Sequence, residues 1–396
     1  MNYTYSKQGQ TISYALIAGG VLAAIIGYMT ADTERLTERL WANLLLDNFY
    51  FLGISLFSIF FIALQYAAQS GWWVSVKRVA EAMSTFLIIP GIIMVFIFLV
   101  GGHHLYHHWL EEGVTDPASA NYDKVIAGKS AYLNMPFFLI RMLIYIAGWV
   151  GAGYLFRKYS KLEDESSDVL YYRKSFKTAV IFLPFFAVTS VTAAWDWLMS
   201  IDTHWYSTMY GWYIFGGMWA SGTAMMLLFS IHLKNKGYFP GVNDNHFHEL
   251  GRMLFATSFL WTYLWFCQFM LIWYSNIPEE VTYYQARFHA YNVPFFGMLL
   301  FNFAAPMLVL MARDSKRSMG YTATIAVMVL IGHWVNTFCL IMPGTVGDKW
   351  HMGLLELGLY LLYLGIFLFV VRKALEKRRV IVAHDPYLVE SEHFHM

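Results

Sequence analysis

The chain has 396 residues, of which 58% are hydrophobic and only 13% charged, and its mean hydropathy is +0.45. A soluble domain of that length cannot hide so much apolar surface, so the composition excludes a soluble globular protein. The net charge of +1 points to no partner by itself, and no nucleic-acid partner is expected.

Ten mostly apolar segments are each long enough to cross a hydrocarbon core of about 30 Å. They lie at 11–30, 47–69, 82–102, 134–156, 176–200, 207–232, 250–274, 291–312, 321–342 and 350–373. The expected fold is an all-α integral membrane protein, 1–396 forming one polytopic membrane domain. The first segment lacks a strongly basic leader and a small-residue cleavage site, so it reads as a retained helix, not a signal peptide. With ten spans, both termini share one side. That side carries 19 lysines and arginines against 6 on the other, so the positive-inside rule makes both termini cytoplasmic.

The third span ends in HHLYHH, residues 103–108. Its i,i+4 histidine pairs lack a nearby third ligand, and a hydrated interfacial turn is expected rather than a metal site. The fourth span opens on LNMPFF (133–138) and the eighth on YNVPFF (291–296), their prolines 158 residues apart. Proline is cheap in a first helical turn, and the asparagine before it can cap free amides. The same motif at the same boundary four helices apart also reads as duplication. Residues 46–200 and 207–342 would then be two parallel-repeat four-helix bundles, with 11–30 and 350–373 as two peripheral helices. In the sixth span, Gly217 and Ser221 form a small-xxx-small pair suited to close packing.

Ionisable residues inside spans are functional candidates. Arg141 lies about two turns into the fourth span from the outer face, and Asp196 about one turn in from the same face on the fifth. Neighbouring antiparallel helices can bring them together as an ion pair. Glu356, in the tenth span, has no obvious partner. At the cytoplasmic mouth of the seventh span Glu249 and Arg252 stand one turn apart and can pair. Deeper come Thr257, Ser258, Thr262 and Gln268, with Asn302 on the eighth span and His333 and Asn336 on the ninth. This set reads either as a proton track or as interhelical hydrogen-bond glue. His333 is the only histidine near mid-span, so a bis-histidine haem is not expected. Cys267 and Cys339 are single, and with no C-x-x-C-H or cysteine cluster they read as packed thiols.

The stretch from Asp196 through HWYSTMYGWYIFGG, the segment ELGRMLFATSFLWTYLWFCQFMLIWYSNIPEE (249–280) and the two N-x-P-F-F starts resemble the NrfD/PsrC-like membrane subunits of alternative complex III. More closely, they resemble its smaller, ActF-type subunit. That complex is a bacterial quinol:cytochrome c oxidoreductase, and the resemblance implies the bacterial inner membrane. It also implies a sister NrfD-like subunit that binds quinol, an iron–sulfur subunit, haem c subunits, and a terminal oxidase as a further candidate. Haem c and iron–sulfur clusters would belong to those partners, with no cofactor or metal bound by this chain. The family's quinol pocket uses a histidine ending the first bundle's second helix and acids on the next two. By position His104 and Asp196 match, but MPFFLIRML offers Arg141 where the fourth-span acid is expected. The resemblance therefore implies a structural and proton-conducting subunit, with Arg141 neutralising Asp196. Two other readings stay open: a (mena)quinol-binding subunit in its own right, and an independent ion- or proton-coupled secondary transporter.

Overall fold

A computed structural model of the protein describes residues 3–31, 35–166 and 168–395. Among these, ten helices are long and apolar enough to cross a membrane. They are α1 (Lys7–Thr30), α2 (Leu36–Ala68), α3 (Trp72–Leu105), α4 (Met135–Glu165), α5 (Leu170–Trp197), α6 (Tyr210–Asn235), α7 (Asp244–Ser275), α8 (Asn292–Leu310), α9 (Met319–Thr345) and α10 (Leu354–Glu376). The protein is an all-α integral membrane protein that crosses the bilayer several times.

Local sequence explains where these helices start and bend. Asn134 caps α4, its side chain accepting from the Phe137 amide at 3.0 Å, with Pro136 in the first turn. The second copy of the motif differs, because Asn292 turns onto its immediate neighbour Val293 and leaves α8 without a side-chain cap. Pro306 supplies no amide to its helix, and the turn just before it, Leu300–Ala304, widens to a π-helical register. Pro184 lies inside α5 as a potential kink, whereas Pro90 sits in the first turn of α3's final helical stretch, its carbonyl accepting from Asn48 at 3.0 Å. The helix α2 begins at Leu36 rather than near residue 46, and the added turns carry Arg39 and Asn43.

The helices α2–α9 pack as two rings. Within α2–α5, α2 packs on α3 and α5, and α4 closes the ring against both. Within α6–α9, α6 packs on α7 and α9, and α8 closes the ring in the same way. The two rings meet through α2, α5, α6 and α9. Glycine makes this seam close, since a methyl on Gly222 would fall on the Phe57 ring; within the second ring, one on Gly217 would sit 3.3 Å from His333 Nδ1.

The helices α1 and α10 pack chiefly on each other, and α10 in turn packs on α2 and α3. Gly20 and Gly27 face Gly358 and the backbone around it. A methyl on Gly20 would come within 2.5 Å of the Leu362 amide, and one on Gly365 within 2.9 Å of the Ile17 amide. Lipid offers no hydrophobic drive between helices, so small residues that let backbones touch carry such an association.

Candidate functional site

On the side away from the termini, α4 and α5 bring Arg141 and Asp196 together. Arg141 Nε donates to Asp196 Oδ2 at 2.9 Å, and Nη2 to Oδ1 at 2.8 Å. This fork matches the planar carboxylate and is the strong form of the pair. The third arm, Nη1, donates to the Tyr132 carbonyl at 2.9 Å, and the guanidinium lies 3.8 Å from the Tyr132 ring centre. Tyr145 donates to Asp196 Oδ2 at 3.0 Å. Asp196 is 1% exposed and Arg141 7%, so each charge is answered only from inside the protein.

His104 is not part of this cluster. It ends α3 half-buried, and no hydrogen bond or ion pair joins it to Asp196. Tyr106 reaches the end of α5 instead, donating to the Trp197 carbonyl at 2.9 Å. The helix breaks at Tyr106, which separates the i,i+4 histidine pairs. The His107 and His108 rings lie tilted with centres 4.0 Å apart in the turn beyond, where partial burial holds both below the ordinary histidine range. Among the described residues, no three His, Cys, Asp or Glu side chains converge as metal ligands.

The loop after α5 is pinned from both repeats. Lys129 donates to the Thr203 carbonyl at 2.6 Å, and His204 meets Asp123 at 2.6 Å. From the other repeat, Arg287 lies 3.6 Å from Asp202. Arg287 stacks on Tyr283 and donates to the Cys339 carbonyl at 3.0 Å. Lys129 and Arg287 each stand five residues before one of the two motif asparagines.

Glu356 has a partner, contrary to the sequence reading. Arg39 forks onto it with two 2.7 Å bonds, and Asn43 and the Gly353 amide donate to it at 2.9 Å each. The spacing of 317 residues and the placement of Arg39 in a loop hid the pair. Asp47, one turn beyond Asn43, was missed because the apolar run begins there. It is fully buried, accepts from Trp334 Nε1 at 2.8 Å, and leaves Oδ2 without a partner.

The polar interior of the second ring is only partly joined. Glu249 pairs with Arg252 at 2.6 Å, at the end of α7 nearer the termini. Thr257, Thr262 and Thr337 return their hydroxyls to carbonyls of their own helices. Asn336 accepts from Tyr213. Gln268 is buried and lines a cavity of about 10 Å³ with Tyr284 and Arg287. His333 is 2% exposed, with neither ring nitrogen hydrogen-bonded. Asn302 and Ser258 also carry buried, unpartnered polar atoms. His333 borders a cavity of about 50 Å³ at the seam of the rings, together with Ser221, Asn336 and Thr337. The lining is mostly apolar, and the space is large enough for a water molecule beside His333. Glu249, Arg252, Gln268 and His333 thus stand as separated polar stations, with no hydrogen bond joining one to the next beyond the Glu249–Arg252 pair.

A further ionic cluster, absent from the sequence reading, lies on the termini side. Lys77, fully buried, pairs with Glu163 at 2.9 Å and Asp385 at 2.8 Å. Arg78 pairs with Glu81 at 2.6 Å and with Asp164. The tail after α10 continues over the first ring, where Ser391 bonds to Ser75 and the Trp72 carbonyl. It ends at the start of α7, where the Asn243 and Asn245 side chains donate to the Phe394 carbonyl.

No protein-family model matches the chain, and no curated protein matches it. The class defined by fold and site is therefore a polytopic helical membrane protein with two ring-like helix groups and internally neutralised charges.

Proposed function

We propose that the chain is the smaller, ActF-type NrfD/PsrC-like membrane subunit of a respiratory quinol:cytochrome c oxidoreductase, alternative complex III, in a bacterial inner membrane with both termini cytoplasmic. It works there without redox cofactors of its own. It completes the membrane sector beside a sister quinol-binding subunit, supports docking of the iron–sulfur and haem c subunits, and supplies polar stations for proton movement. The observation that carries the reading is the closed Arg141–Asp196 fork. At the position where the resemblance puts a quinol-site acid, both carboxylate oxygens are occupied by Arg141 and Tyr145, and Tyr132 covers the arginine. His104 stands apart. A quinol hydroxyl entering here would first have to displace a buried ion pair, which argues for a scaffold over a redox site.

The test is a mild-detergent purification of the tagged chain from its native membranes, with a haem spectrum and a subunit gel. Stoichiometric haem c and an iron–sulfur partner are expected, and a colourless protein purifying alone refutes the assignment. One observation favours a second reading, an ion- or proton-coupled transporter: the cavity beside His333 sits at the interface between the repeats, where transporter sites lie. Its volume of about 50 Å³ admits water or a small ion, not an organic solute. Ion flux into vesicles containing the chain alone would support that reading.

A further inference from the structure

Two surface grooves flank α10, and they join. The first, of about 520 Å³, is lined by Ile331 and Trp334 of α9 with Leu354, Leu357 and Tyr360 of α10. The second, of about 280 Å³, runs on between α6, α9 and α10, sharing Ile331 and Tyr360 with the first and ending at His232 and Arg372. From Gly353 to Arg372 the α10 axis advances about 28 Å at 1.5 Å per residue. That matches a hydrocarbon core of about 30 Å, so the channel follows the bilayer from one boundary to the other.

The two ends differ. At the end away from the termini the charged groups are spent, because Glu356 is held by Arg39 and Asn43. At the termini end the cations outnumber their partners. Arg372 donates one bond, at 3.4 Å, to the Gly9 carbonyl, and its Nε is buried with no hydrogen-bond partner. His232 borders the same space, and Lys236 stands exposed one turn further along the chain. Glu376, one turn further along α10, is taken by Lys373 at 2.8 Å and the Tyr5 amide at 3.0 Å. An apolar trough with unspent positive charge at the bilayer boundary has the chemistry of an anionic lipid.

We propose that the groove between α6, α9 and α10 binds one anionic phospholipid, its phosphate between Arg372 and Lys236 and an acyl chain running toward Tyr360. Ordered lipid here would fill the space between α10 and the second ring, and so tie the peripheral α1–α10 pair to it. The proposal does not depend on the respiratory assignment.

The test uses the full chain purified in mild detergent, delipidated, and titrated with phosphatidylglycerol or phosphatidylcholine under native mass spectrometry. The wild type is expected to hold one phosphatidylglycerol at least fivefold more tightly than phosphatidylcholine, since each cation at a membrane surface contributes about fivefold. Lys236→Gln and Arg372→Gln should each reduce that preference without abolishing phosphatidylcholine binding. Lys236 is exposed, so its variant tests the site even if the Arg372 variant fails to fold. Leu364→Trp, which fills the trough, should weaken both lipids. Equal affinity for the two lipids, or a preference unchanged in Lys236→Gln, overturns the proposal. So does a Leu364→Cys chain that cross-links to another protein in native membranes, because the groove would then be an interface.

Discussion

The Arg141–Asp196 pair permits a quantitative test. Removing one member of a buried pair leaves the other charge uncompensated, at a cost of about 3–5 kcal/mol. In Asp196→Asn the guanidinium would keep its bond to the Tyr132 carbonyl and its stacking on that ring. The amide would also still accept one of the two former bonds. The loss should therefore fall at the low end, about 3 kcal/mol. In Arg141→Met the carboxylate would keep only Tyr145 and lose both charge-assisted bonds, so about 4–5 kcal/mol is expected unless it takes up a proton. The double variant Arg141→Met/Asp196→Leu removes both charges and should recover most of the loss, because apolar replacement of a buried pair is often neutral or stabilising. Adding the single variant Asp196→Leu closes the double-mutant cycle with Arg141→Met, read by equilibrium unfolding of the five proteins in mixed micelles. Additive single losses, with no recovery in the double variant, would refute the claim that the two charges answer each other. Under the respiratory assignment, the same Asp196→Asn protein should assemble more weakly. Full assembly and full quinol:cytochrome c activity in that variant would strip Asp196 of any functional role.

Three more outcomes follow from the geometry. Gly358→Ile should detach α1 while leaving the two rings folded, since any side chain there falls on the backbone of Ala24; loss of an Ala24→Cys/Leu361→Cys or neighbouring cross-link, with unchanged far-UV dichroism, would show it. The variant Lys77→Met should strand Glu163 and Asp385 without their shared cation and free the tail, seen as faster proteolysis after residue 380; an unchanged cleavage rate would count against the clamp. The His204 contact holds the Asp123 carboxyl below the usual carboxylate range. A folded-state pKa below the unfolded value of about 3.9 contributes stability above that value and loses it as pH falls through the folded one. Amide exchange in the loop at 198–209 should thus stay slow, after correction for intrinsic rate, from pH 7 to 5 and rise only below about pH 4. A rise already complete at pH 5 would assign the lock elsewhere.

The ten helices were legible because a membrane leaves a blunt signature: long apolar runs with charges pushed to their ends. The pairing of Arg141 with Asp196 was legible too, since adjacent antiparallel helices put two deep charges at similar depth. Glu356 was not. Its partner is on another helix 317 residues away, and no local spacing rule joins a residue that looks like loop to an acid in the last span. Asp47 escaped because a single acid at the edge of an apolar run looks interfacial until helix packing buries it. The Lys77 cluster escaped for the opposite reason. Basic residues beside a span count as topology signals, and nothing in the sequence says that the tail after α10 will fold back over them. That Tyr106 and not His104 reaches the end of α5 is set by how α3 is turned against its neighbours, below the resolution of any periodicity argument.

The Arg39–Glu356 pair also dictates an order of events during biosynthesis. Arg39 stands in the first turn of the second helix, and the acid that neutralises it lies in the tenth. While the ribosome is still making the helices between, Arg39 has no carboxylate to meet and must stay near the aqueous boundary, where a long side chain can keep its charge hydrated. Only when α10 is threaded can the second helix sink to its final depth, bringing Asn43 and Asp47 into the interior. A chain stalled after nine helices would hold α2 too shallow and α1 without its glycine-lined mate. Membrane quality-control proteases that recognise exposed intramembrane charge would then have a chemical mark by which to tell an unfinished copy from a finished one.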